Sequence, residues 1–84
     1  MADSKKEYSA EAQIGLGLSN RIISAKMQVM GYMSPDFLII DRDAFKYLAT
    51  YLEELEGFVS SQFLGMTFVI VEGANYEFGF GSKP

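Results

Sequence analysis

The 84-residue chain has no cysteine, no histidine and only two prolines. Without cysteine there is no disulfide scaffold and no thiolate nucleophile. Without histidine there is no imidazole acid–base chemistry and no Ser-His-Asp relay, and the two absences together remove the usual zinc ligand sets. Positive charge is also scarce: seven basic residues against eleven acidic ones give a net charge of −4. Lys5, Lys6, Arg21, Lys26, Arg42, Lys46 and Lys83 form no cluster, whereas nucleic-acid binding needs a basic stripe. No apolar run approaches the roughly 20 residues that span a bilayer, and MADSKKEYSAEA is polar. The expectation is a soluble, cytoplasmic protein that binds neither membrane nor nucleic acid.

What is present is apolar. Hydrophobic residues make up 49% of the chain, with seven phenylalanines and five tyrosines, more than a disordered chain carries. A domain this short buries only about 60–65% of the surface its unfolded chain exposes, so contacts with partners can matter to it.

Residues 1–8 read as a loose, disordered start, although Ser4-Lys5-Lys6-Glu7 matches a capping box. Ala10, Ile14, Leu18, Ile22, Ala25 and Val29 then fall on one helical face. Gly15 and Gly17 each cost about 1 kcal/mol in a helix, which moves its expected start toward Ser19. Gly31 is expected to end it in a left-handed conformation, before Pro35.

Phe37-Leu38-Ile39-Ile40 lacks alternation, the pattern of a strand covered on both faces. A second helix carries the stripe Phe45, Leu48, Leu52, Leu55 and stops at Gly57, with Phe58 placed to fold back on its last turn. FVSSQFLG reads as a loop, MTFVIV as another apolar strand, Glu72-Gly73-Ala74-Asn75 as a turn, and Tyr76 to Phe80 as a strand with one buried face. The expected fold is α+β: a small mixed sheet in the order helix, strand, helix, strand, hairpin, strand. It has a parallel crossover pair and an antiparallel C-terminal strand returning through the hairpin. All 84 residues form one module.

Asp41-Arg42-Asp43 is the one stretch with the look of chemistry, since paired carboxylates after a strand can hold magnesium. Hard cations need further converging oxygens, and aspartate is among the best helix caps. Asp41 and Asp43 are therefore read as a cap that asparagine could replace, and no catalytic residue, cofactor or metal is expected. Gly15-Leu16-Gly17 follows no strand and carries no dinucleotide fingerprint. Function is expected instead at aromatic surfaces. Tyr47, Tyr51, Phe58, Phe63, Tyr76, Phe78 and Phe80 are the interface candidates, each weighed against an ordinary place in the core. The methionines suit adaptable packing or contact.

A helix, then P-D-F-L-I-I-D-R-D-A-F-K-Y-L, a loop, and F-L-G-M-T-F-V-I-V resembles the axial domain of tailed-phage major capsid proteins and encapsulins. Pro35 leads into the strand Phe37 to Ile40, Asp41 to Asp43 form the joint, and Leu64-Gly65 introduce Met66 to Val71. Asp41-Arg42 stands where the family's usual joint is an asparagine-proline or similar pair, and Thr67 stands where the family's strand usually carries a proline. The family's arm, extended loop and peripheral domain have no counterpart, so the likeness is to small encapsulin-related proteins that keep only the axial domain. The resemblance implies a non-enzymatic, self-assembling or protein-binding module without a small-molecule substrate, in the cytoplasm or in a virion or shell. The alternative is a small acidic phage- or plasmid-type inhibitor of a basic nucleic-acid enzyme.

Overall fold

The computed structural model describes residues 7–83; the Ser4 capping box falls outside this range. Two helices lie on one face of a four-stranded sheet, a small mixed α+β arrangement as expected. The helix α1 (Ala10–Val29) runs unbroken through both glycines. Its cap is Ser9, whose Oγ accepts the Ala12 N–H, while the Ser9 N–H and O–H donate to the carboxylate of Glu54. The early start is thus set by a long-range clasp on the second helix. Tyr8, expected to be loose, packs its ring on Tyr51 with centroids 5.5 Å apart.

The buried face of α1 is Ala12, Gly15, Leu18, Ser19 and Ile22, rotated from the expected one, so that Ile14 is exposed. The cause is Gly15. Lacking a side chain, it lies against the backbone of Tyr47, and this close approach decides which face of α1 turns inward. The helix ends at Met30 in a right-handed conformation, and Gly31 has no positive φ.

Strand β1 (Phe37–Asp41) leads directly into α2 (Arg42–Glu56), which Asp41 caps through Asp43 N–H and Gly57 closes at φ 88°. Ala44, Leu48 and Leu52 of α2 join Leu18, Ile22, Leu38, Ile40 and Met66 in the core. Leu55 and Phe58 are exposed; Phe58 does not fold back into cover.

The segment read as a loop holds a short strand, β2 (Gln62–Phe63), paired antiparallel with β3 (Met66–Val71) through a two-residue turn. Leu64 and Gly65 both have positive φ, 54° and 79°, as a primed hairpin turn requires. β1 pairs parallel with β3, register Leu38 to Phe68 and Ile40 to Ile70. The last strand, β4 (Phe78–Gly81), is antiparallel as expected, but its partner is β1 and not β3. The sheet order is β2-β3-β1-β4. No hairpin therefore joins β3 to β4: the chain passes over the C-terminal end of β1 to reach its other side, and Tyr76 and Glu77 belong to that crossing.

Candidate interaction surfaces

Two aspartates at the ends of β1 dictate the crossing. Asp36 donates its N–H to Gly81 O (2.8 Å), accepts the Thr67 N–H at its carbonyl (2.9 Å) and accepts the Lys83 N–H at its carboxylate (2.8 Å). At the other end Asp41 donates its N–H to Glu77 O (2.9 Å). One of its carboxylate oxygens accepts from Asp43 N–H and the other from Ala74 N–H, both at 3.1 Å. Arg42 adds an ion pair to Glu72 at the start of the crossing. The D-R-D triplet is a helix cap that also pins the crossing segment, and both oxygens of Asp41 are used in doing so.

The crossing borders a cleft of about 430 Å³ at the C-terminal end of β1. Ile14, Leu18 and Ala44 give it an apolar lining, together with Tyr47 and Tyr76. Arg21 closes the rim by gripping Glu77 with Nε and Nη2, at 2.9 Å for Nη2. Asp43 is exposed beside it, and among the described residues no three acidic side chains converge as metal ligands would. The cleft offers a seat for an apolar or aromatic side chain, walled by two tyrosines.

The structure divides the aromatic candidates. Phe63, Phe78 and Phe80 lie half-buried against the core on the helix side of the sheet. Phe63 stacks on Phe68, and Phe78 meets Phe80 edge to face at 5.8 Å. Tyr51 also packs on the core, under Tyr8, and burial raises its phenol above the ordinary value, with Tyr8 and then Glu56 adding to the shift. Tyr47, Phe58 and Tyr76 are open to solvent.

Two surfaces were not singled out from the sequence. The strand Phe37 to Ile40 was expected to be covered on both faces, yet the helices cover only one. Leu38 and Ile40 are fully buried, while β3 exposes Thr67 and Val69 on the other face and, toward its end, Ile70 on the helix side. By register the uncovered face carries Phe37, Ile39, Thr67, Val69 and Val71, with Gly79 and Gly81 opposite. Phe37 and Ile39 lean into the space that side chains at Gly81 would fill. The second surface is a stripe on α1, Ile23, Met27 and Met30, exposed at 38%, 70% and 61%, which continues to Tyr32 at 79%. The i, i+4, i+7 spacing of the stripe was its available signal.

Comparisons with protein-family models, with curated proteins and with solved structures give no match to this chain.

Proposed function

We propose that this chain is a non-enzymatic association module, which assembles with its own copies or docks on another protein in the manner that its likeness to a capsid or encapsulin axial domain implies. One observation carries the reading: a sheet apolar on both faces has helices on only one. Parallel strands normally have both faces covered, and a contiguous apolar surface left open marks an interaction site. The exposed Met27/Met30 stripe and the tyrosine-walled cleft support the same reading, since methionine and tyrosine both suit contact surfaces.

The test is native mass across a concentration series at low and high salt. Apolar association gives species that grow with concentration and persist at high ionic strength, whereas a charge-driven decoy loses its partner steeply as salt rises. A strict monomer at every concentration overturns self-assembly.

A further inference from the structure

From the form of the sheet edge we infer that a second copy of this chain pairs with β4, antiparallel and about a two-fold axis at Phe80, joining two four-stranded sheets into one of eight strands. The inference rests on the association reading above and names its partner and geometry. The two edges of the sheet differ. On one side β2 is only two residues long, a blunted edge, and the Phe68 N–H of β3 beyond it is taken by Ser61 O, so only the end of β3 from Val69 to Val71 stays open there; β4 has four residues, with no lysine, proline or inward charge to protect it. Among the described residues nothing pairs with its outer side.

The direction of its free groups follows from its partners. The carbonyls of Glu77 and Gly81 accept from Asp41 and Asp36 at the two ends of β1. Backbone groups alternate sides along a strand, so Gly79 also faces β1, while the N–H and C=O of Phe78 and Phe80 point outward. An antiparallel copy centred on Phe80 exchanges both bonds between the two Phe80 residues and sets Phe78 against Ser82 of the other copy. The groups are self-complementary, as a two-fold contact requires.

Charge selects the same arrangement. Glu77 precedes the strand and Lys83 follows it, and in this register each Glu77 faces the other copy's Lys83. Parallel pairing would set like charge against like. Glu77 already accepts from Arg21 but remains 56% exposed at its side chain. Glycines at 79 and 81 bring no side chain of β4 to the seam on the uncovered face, and on the helix side the half-buried Phe80 rings of the two copies meet across the axis.

The experiment is amide hydrogen exchange and sedimentation equilibrium on the full chain and three variants. In the wild type, the Phe78 and Phe80 amides are slow to exchange in concentrated solution and fast in dilute solution, whereas Gly79, bonded to β1, is insensitive to concentration. Lys83→Glu weakens the dimer roughly tenfold, Glu77→Lys does likewise, and the double exchange restores it. Circular dichroism on each variant verifies folding, and the double variant guards against a loss caused only by breaking the Arg21 pair. Oligomers whose Phe78 and Phe80 amides stay fast overturn edge pairing while leaving association by another surface standing. A monomer at all concentrations overturns both.

Discussion

Gly15 of α1 lies directly on the backbone of Tyr47 in α2: a Cβ at position 15 would collide with the Tyr47 carbonyl and come within 2.7 Å of the Tyr51 Cβ. Helix propensity alone favours alanine over glycine by about 1 kcal/mol. Here sterics reverse the sign, because overpacking a close helix crossing costs about 1–3 kcal/mol. Gly15→Ala therefore lowers stability in denaturant titration. Gly17→Ala, whose nearest neighbour would be the flexible Arg21 guanidinium at 3.6 Å, raises stability by about 0.5–1 kcal/mol. Equal effects of the two substitutions would sink this account of the crossing.

Asp41 and Asp43 are unequal despite their symmetry in the sequence. Asparagine caps helices well, which suggests a silent exchange at either site. Asp41, however, accepts two N–H bonds on two oxygens, and an asparagine has one oxygen to offer. Asp41→Asn accordingly costs about 1 kcal/mol, the worth of one such bond, and speeds hydrogen exchange at Ala74. Asp43→Asn stays within about 0.5 kcal/mol, as for an exposed residue without such a role. A slow Ala74 amide in the Asp41 variant would count against the pinning role.

The contrast shows what was legible in the chain. The two helices and the strands other than β2 were readable, because Leu38, Ile40, Leu48 and Leu52 sit in local patterns that report burial. The joint at 41–43 was readable as a cap for the same reason: Asp43 N–H is two residues away. Its second partner, Ala74, is 33 residues away, and no local pattern encodes that bond. The placement of β4 beside β1 depends on the same long-range bonds from Asp36 and Asp41, so an antiparallel last strand could be foreseen while its neighbour could not. Likewise, period and composition could not show that Phe37, Ile39 and Val69 face no helix. An apolar run looks the same whether its second face is covered by its own chain or left open.

Leu64 holds a left-handed conformation, φ 54°, in the β2–β3 turn. That region costs a residue with a Cβ about 1–2 kcal/mol, and asparagine tolerates it best after glycine. The Leu64 side chain is exposed, so little packing offsets the strain, while its carbonyl still accepts from Lys26 Nζ whatever the side chain. Leu64→Asn should raise stability by about 0.5–1 kcal/mol in thermal unfolding. A loss of stability would mean that the exposed leucine packs more than its surroundings indicate.

Tyr51 gives the fold an alkaline limit. Its phenol is raised above the ordinary value, first by burial and then by Tyr8 and Glu56. Below about pH 10 it is neutral in both folded and unfolded chains, and its contribution to stability is whole. As the pH climbs further the unfolded chain ionises while the folded one holds its proton, so stability falls with rising pH until the folded phenol also titrates. Tyr51→Phe should flatten this part of the stability curve, and an unchanged alkaline slope would remove Tyr51 as its cause.

Leu38 and Val69 lie on neighbouring strands but opposite faces of the sheet, one fully buried and the other exposed at 38%. Truncating the first leaves a cavity, so Leu38→Ala costs about 2–5 kcal/mol. Val69→Thr keeps the branched shape suited to a strand and adds a hydroxyl where water already reaches, so its effect on folding stays within about 0.5 kcal/mol. If the open face is where copies or partners dock, the threonine instead weakens association, because the hydroxyl must be desolvated without a partner. Folding stability and native mass measured on the same variant separate the two roles. A destabilised Val69→Thr monomer would mean that this face is part of the core, whereas a stable variant with weakened association would place Val69 in the contact.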